Sequence, residues 1–356
     1  MEEETSTRRW WDVYDLGISF FGLIVQVFFR EISQRGAHAI PQTGPVLFVI
    51  GPHSNQFVDP MVVLKTCHPR RCKFLIAQKS HDRPIVGFFS RALQAIPVPR
   101  AQDYTVKGSG TLYQKQGDTT TLYGDAETDF AAALASVHKA YPRCAAENGQ
   151  ALFTVQLIDA GVTMDIKHIV SATEATLTKP VSPETHTLLC LKEEVKRFKV
   201  MPYFDQSKVY RRVHQALADG ECIGIFPEGG SHDQPELLPL KAGVTLMALG
   251  AMAAESEAPM DLKIIPVGLH YYNPHRFRSR AVVEYGSAVT ITPDLVEQYK
   301  QGGTEKRKAC GALLDTITKA LRTVTSQTCS RCVSFLCMLT GAKKSIRQTT
   351  KRCKSC

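Results

Sequence analysis

Within Gly51–Pro60, GPHSNQFVDP, a histidine stands six residues before an aspartate, directly after the apolar run Val46–Ile50. An imidazole beside a carboxylate makes a general base, because the carboxylate holds its tautomer and stabilises the imidazolium formed on proton removal. His53 and Asp59 have the residue types for that work at a strand end. Residues six apart on a regular helix are rotated by roughly 240°, so a bend must bring the two side chains together. Gly51 and Pro52 supply one break, and Pro60 biases Asp59 away from helical dihedrals. The same residues also fit a reading without chemistry, in which Asp59 caps a helix entered at Pro60 and continued by Met61–Leu64.

Three further segments combine apolar strands with polar ends. Cys222–Gly243, CIGIFPEGGSHDQPELLPLKAG, is an apolar strand running into Pro227, Glu228 and two glycines. Its glycines let a backbone approach a ligand, while Ser231 and Lys241 supply a hydroxyl and a cation suited to phosphate. Gly229 and Gly230 also fit a plain turn, and Lys241 a solvated lysine at a helix start. Ile85–Arg100 is an apolar stretch interrupted by Arg91 and closing on Arg100, and either arginine is placed to grip a phosphate or to lie at the surface. Lys263–Leu269, KIIPVGL, reads as a buried strand leading into His270, Tyr271 and Tyr272.

Taken in this order, the four segments resemble the glycerolipid acyltransferase family, which moves fatty acyl groups from acyl-CoA to glycerol phosphates. The wording of GPHSNQFVDP, IFPEGGSHD, LLPLKAG and HRFRSRAVVEYG is closest to its fungal and protist glycerol-3-phosphate and dihydroxyacetone-phosphate acyltransferases, over roughly Tyr14–Thr325. The resemblance implies that His53 is the catalytic base and Asp59 its partner, with five intervening residues where the usual motif has four. It implies that Arg100 contacts the acceptor phosphate. Glu228 and Gly229 match the third motif, which implies that they bind the acceptor phosphate together with Ser231; the motif here continues with Gly230 and Ser231 in place of threonine and arginine, shifting phosphate binding toward Arg100 and Lys241. Pro266 matches the motif on the acyl-donor side, and Arg276, Arg278 and Arg280 are candidates for the CoA phosphates or for plain surface charge.

The implied reaction is direct acyl transfer to the sn-1 hydroxyl of glycerol 3-phosphate, dihydroxyacetone phosphate or both, the first step of phospholipid and triacylglycerol synthesis. His53 takes the acceptor proton as the oxygen attacks the thioester, and CoA thiolate leaves. Neither Ser54 nor Ser231 sits in a GxSxG elbow, which disfavours a covalent acyl-enzyme. Acyl-CoA is a co-substrate, and neither a cofactor nor a metal is required. Lysophosphatidate as acceptor is the alternative within the same chemistry. A shortened, catalytically weak membrane-associated binding protein is the alternative of another class.

The 356 residues carry a net charge of +9, of which +6 falls in Gly341–Cys356. That tail suits an anionic membrane surface, and the absence of interleaved aromatics or a recognised motif argues against nucleic acid as a partner. Val13–Phe29 is mainly apolar, with Asp15, Ser19, Gly22 and Gln26 forming one polar stripe at helical spacing. It reads as a helix lying in a membrane interface, with packing against the domain as the alternative. The family places such an enzyme at the endoplasmic reticulum membrane with its site facing the cytosol, where disulfides are disfavoured. Cys329, Cys332, Cys353 and Cys356 form two CxxC pairs whose spacing permits zinc, S-acylation or free thiols, with zinc the less favoured.

The expected architecture is α/β, a mixed central sheet flanked by helices. A membrane-associated N-terminal helix spans 1–35, the acyltransferase domain 36–103 and 200–325, a β-rich insertion 104–199, and a basic cysteine-containing tail 326–356. His53, Glu228 and Arg100 are expected to meet in one cleft.

Overall fold

The computed structural model describes residues 2–141, 152–191, 197–204, 206–232, 234, 237–254, 260–272 and 276–325. The basic tail and its paired cysteines lie outside the described residues. In chain order the first elements are α1 (Glu2–Phe28), β1 (Phe29–Arg35), β2 (Val46–Gly51), α2 (Val58–Thr66), β3 (Cys72–Ala77), α3 (Gln78–His81), α4 (Pro84–Ala92) and β4 (Ile96–Val98). Then come β5 (Val106–Lys107), β6 (Leu112–Tyr113), β7 (Thr121–Gly124), α5 (Phe130–Ala140), β8 (Phe153–Leu157), β9 (Thr163–Ser171), β10 (Glu174–Leu177), α6 (Pro183–Cys190) and β11 (Phe198–Pro202). The last are α7 (Ser207–Ala218), β12 (Cys222–Ile225), α8 (Gly243–Ala253), β13 (Lys263–Tyr272), β14 (Ser279–Tyr285), β15 (Val289–Thr290), α9 (Pro293–Gln301) and α10 (Gly303–Val324).

The chain divides into two compact units. One is drawn from residues up to Leu75, from Arg91–Ile96 and from Arg212 onward; the other comprises Ile76–Ser90 and Pro97–Arg211. The larger sheet has the order β1-β14-β13-β2-β12-β3-β4, with β15 paired to β13. Its centre is β2, parallel to both β12 and β13. All six residues of β2 are buried, as an unbroken apolar run requires of a strand covered on both faces. β14 turns back antiparallel to β13, and β1 lies parallel to β14, so the sheet is mixed.

A proline in a central strand normally costs a ladder bond. Pro266 avoids that cost. On the side away from β2 it falls between Lys263–Ile264, which pair with β15, and Val267 onward, which pairs with β14. Its carbonyl accepts from Gly286 N at 2.9 Å, so the missing N–H points into the gap between those ladders.

Helices α1 and α2 cover one face, where Tyr14 and Val25 of α1 and Val62 and Val63 of α2 join Ile265, Val267, Leu269 and Val283 of the sheet in one core. Tyr14 also donates to Cys72 O at 3.1 Å and accepts from Cys72 N at 2.9 Å, fastening α1 to β3. Ile18 and Phe21 complete the inward face of α1, while Leu16, Phe20, Leu23, Ile24 and Val27 are exposed on the other side. The helix therefore packs on the domain and still presents an apolar face outward. Among the described residues no helix is long and apolar enough to cross a membrane.

The second unit is built on an antiparallel sheet of order β5-β11-β8-β9-β10-β7-β6. β8 alternates buried Phe153, Val155 and Leu157 with half-exposed Thr154 and Gln156, the period-two pattern of a strand covered on one face. Helix α5 supplies part of the cover, with Phe130 and Val137 buried in the same core. Its first turn is capped by Asp129, which accepts from Ala131 N and Ala132 N.

Candidate active site

The buried apolar strand β2 ends at Gly51, and the chain immediately after it forms the loop that carries His53. His53 Nδ1 lies 2.9 Å from Asp59 Oδ2. The extra residue in the loop therefore does not prevent the pairing. The spacing is accommodated differently from the sequence expectation: Pro60 does not turn Asp59 out of the helix. Helix α2 begins at Val58 and contains both residues in its first turn, where N–H groups lack intrahelical partners and a proline is tolerated. Asp59 does not cap the helix: the N-cap position is Phe57, which has no capping side chain, and the donors at the helix start are taken by Asn55. Its Oδ1 accepts from Phe57 N at 2.9 Å and Val58 N at 3.1 Å, leaving the Asp59 carboxylate to face back toward the histidine.

Asp59 is fully buried and receives four donors. Oδ2 accepts from His53 Nδ1 and from the N–H groups of Ser54 and Asn55, each at 2.9 Å, and Oδ1 accepts from Tyr271 Oη at 2.7 Å. Those donors, with the positive end of α2, support an ionised carboxylate without an opposing side-chain charge. An ionised carboxylate only accepts, so Nδ1 carries the proton and Nε2 the lone pair. Among the described residues Nε2 has no hydrogen-bond partner. The ring is stacked on Phe226, centroids 4.0 Å apart and planes 20° apart, which fixes its tilt. Burial, followed by the Asp59 charge, pushes the Tyr271 phenol well above its ordinary value, so it remains a donor across the working range.

Glu228, five per cent exposed, joins the two motif loops. Its Oε1 accepts from His53 N at 2.9 Å, and its Oε2 accepts from Leu238 N at 3.0 Å and meets His232 Nε2. His232 N in turn donates to His53 O at 2.9 Å. Glu228 is thus engaged by protein donors on both oxygens, and its contribution here is to hold His53 in place. A Cβ on Gly51 would come within 2.8 Å of a Leu237 methyl and 3.2 Å of a Leu321 methyl, so the strand end is closely packed beneath the loop.

Gly229 has φ +79°, a conformation that favours glycine, and a Cβ on it would fall 2.4 Å from Lys241 Nζ. Lys241 therefore extends across the glycine, beside the His53 clamp. It is exposed, and among the described residues its ammonium has no carboxylate partner; Ser231 is exposed as well. Arg100 belongs to the second unit, where its guanidinium makes a two-point pair with Asp103, Nε to Oδ2 at 2.9 Å and Nη2 to Oδ1 at 3.1 Å.

Pro266 is buried within the sheet and shapes β13. Arg276, Arg278 and Arg280 line a groove of about 690 Å³ on the β1–β14 edge, together with Arg30 and Arg35. Its one carboxylate, Glu31, pairs with Arg280 at 3.1 Å. Arg30 and Arg35 escaped the sequence reading because their proximity to Arg280 follows from the parallel pairing of β1 with β14, which no local pattern announces. Among the described residues no cluster of three or more His, Cys, Asp or Glu side chains is arranged to hold a metal.

A family model described as acyltransferase matches residues 195–270. An uncharacterised acyltransferase of Schizosaccharomyces pombe is 36% identical over 319 residues, covering 88% of this chain and 44% of the relative. Glycerol-3-phosphate O-acyltransferase 1 of Saccharomyces cerevisiae is 40% identical over 338 residues, covering 92% of this chain and 41% of the relative. The chain thus spans less than half the length of these curated relatives. The crystal structure of the 1-acyl-sn-glycerophosphate (LPA) acyltransferase of Thermotoga maritima aligns over 93% of this chain and 85% of its own, at a TM-score of 0.42 and 10% identity, too distant to inform any residue's role. Residues 195–270, which include Glu228, Lys241 and Pro266, thus match the acyltransferase family model, and most of the chain is similar to part of longer fungal acyltransferases.

Proposed function

We propose that this chain transfers a fatty acyl group from acyl-CoA to the sn-1 hydroxyl of glycerol 3-phosphate, the entry step of phospholipid and triacylglycerol synthesis, with dihydroxyacetone phosphate as a second acceptor. The observation that carries this reading is His53, with its Nδ1 proton on Asp59 and an Nε2 that has no partner among the described residues. That arrangement is a general base ready for a hydroxyl. The acceptor is argued from the printed activity of the Saccharomyces cerevisiae relative.

His53 Nε2 accepts the hydroxyl proton as the oxygen bonds to the thioester carbonyl carbon. The tetrahedral adduct collapses with cleavage of the carbon–sulfur bond, and the thiolate recovers the proton from the imidazolium. Asp59 stabilises that imidazolium throughout. Lys241 and Ser231, over the left-handed Gly229, bind the acceptor phosphate away from the reacting oxygen, which turns binding energy into orientation. The groove of Arg30, Arg35, Arg276, Arg278 and Arg280 takes the donor's CoA phosphates, with Pro266 setting the course of the strand that leads to it. The outward apolar face of α1 supports a helix resting on a membrane, and the membrane proposed is that of the endoplasmic reticulum with the site facing the cytosol.

The test offers palmitoyl-CoA with glycerol 3-phosphate, dihydroxyacetone phosphate or lysophosphatidate in parallel and identifies the lipid formed. Monoacylated product from the first two supports the proposal. Phosphatidate formed from lysophosphatidate alone would assign the chain to the later acylation step.

A further inference from the structure

His232 lies outside every role assigned above, yet it closes a ring around the base. His53 N–H donates to Glu228 Oε1 at 2.9 Å, Glu228 Oε2 meets His232 Nε2, and His232 N–H donates back to His53 O at 2.9 Å. Both polar groups of the His53 backbone are therefore held by the second loop. His232 is itself held at its remaining ring nitrogen, where Nδ1 accepts from Gln234 N at 3.2 Å. A backbone N–H can only donate, so Nδ1 is unprotonated and Nε2–H is the donor toward Glu228. The imidazole is neutral, with both nitrogens engaged. Its side chain is ten per cent exposed and that of Glu228 is fully buried.

We infer that His232 is a positioning residue: through Glu228 and its own N–H it fixes the peptide of His53, and thereby the place where His53 Nε2 meets the acceptor hydroxyl. It is not an acid or a base in the reaction, because neither nitrogen is left to reach a substrate. Three constraints then define the base. Asp59 fixes its tautomer, Phe226 its ring plane, and the Glu228–His232 ring its backbone. The inference rests on the reading of His53 as the base.

Misplacing a reacting group by about 1 Å costs on the order of 100-fold in rate. His232→Ala is therefore expected to lower kcat by ~10–100-fold, while KM for both substrates stays within about twofold. His232→Gln carries an amide N–H near the position of Nε2 and restores donation to Glu228, returning kcat to within about threefold of the parent. His232→Asn is too short to reach Glu228 and stays as slow as alanine. Should the alanine variant fail to fold, the Gln-to-Asn comparison decides on its own.

Wild-type kcat in His232→Ala, a rise in KM in place of the fall in kcat, or glutamine no better than asparagine would each overturn the assignment. His53→Ala is measured alongside. Full turnover by that variant would remove the base reading itself, whereas an inactive His53→Ala beside a fully active His232→Ala would remove only the positioning role.

Discussion

The two histidine–carboxylate pairs of this molecule, His53–Asp59 and His232–Glu228, use the same residue types to opposite ends. In the first, the carboxylate binds Nδ1 and Nε2 faces outward without a partner among the described residues. In the second, the carboxylate binds Nε2 and a backbone N–H occupies Nδ1. One ring is left a lone pair for chemistry, and the other is spent on structure. What separates them is the source of the remaining hydrogen bonds: Asp59 draws its extra donors from the loop leading into its own helix and from Tyr271, whereas Glu228 draws one from the peptide of His53. Proximity of histidine to carboxylate thus says little until the partner of the second nitrogen is known.

The sharpest way to break this contrast is Asp59→Asn, whose amide can donate to Nδ1 and push the proton to Nε2. By the precedent of an amide at the equivalent place in a catalytic triad, kcat should fall by about 10³–10⁴-fold with the fold retained. A loss under tenfold would show that Asp59 does not set the tautomer. Glu228→Gln places an amide N–H₂ either against His53 N–H or against both Leu238 N–H and the His232 ring. We expect ~10–100-fold in kcat together with about 1–3 kcal/mol of stability, read from urea unfolding. An unchanged unfolding midpoint would argue that the clamp is not under tension from both sides.

Tyr271→Phe removes one donor from Asp59 and leaves the second pair untouched. A bond to a charged group is worth about 1.5–3 kcal/mol, so a fall of roughly tenfold in kcat is expected, and equal rates would make that bond dispensable. Lys241→Met should act on binding instead, raising KM for glycerol 3-phosphate roughly tenfold at nearly constant kcat, since a charge-assisted contact to the phosphate is lost. A fall in kcat alone would move Lys241 from phosphate binding to the reacting centre.

The smallest effect is one of pH. Burial, the largest cause in each case, pushes the phenols of Tyr14, Tyr271 and Tyr285 above the ordinary value. Below the unfolded-state value near 10 these phenols are protonated in both states, so their contribution to stability is intact. Above it the unfolded chain releases protons that the folded chain keeps, and stability declines by up to about 1.4 kcal/mol per pH unit for each tyrosine. Thermal unfolding should therefore be flat with respect to these groups below pH 10 and fall beyond it, less steeply in Tyr14→Phe; an unaltered slope in that variant would place its phenol in water.

Much of the sheet was legible because its strands are unbroken apolar runs: Val46–Ile50 and Lys263–Leu269 announce buried strands before any pairing is known. The helix at Asp59 reads as starting at Pro60 because proline dominates the local pattern, while the Asn55 side chain that takes its first donors, three residues before Val58, looks like any loop amide. Asp129 followed by FAAALASVHKA was an ordinary helix-start signal, passed over amid the threonine-rich runs that surround it. His232 had only its four-residue spacing from Glu228 to recommend it, and the glycines between them argue against the helix that would give such spacing meaning. Its role depends on two loops from distant parts of the chain meeting, which composition does not encode.

The central claim is that His53 is the base of an acyl transfer, and the most direct test is the single-turnover rate of acyl transfer from palmitoyl-CoA to glycerol 3-phosphate by the full chain and its His53→Ala variant in lipid vesicles. The account predicts ester formation by the parent chain and a loss of at least about 10³-fold in the variant at matched substrate occupancy. A variant that turns over within a few-fold of the parent would contradict it.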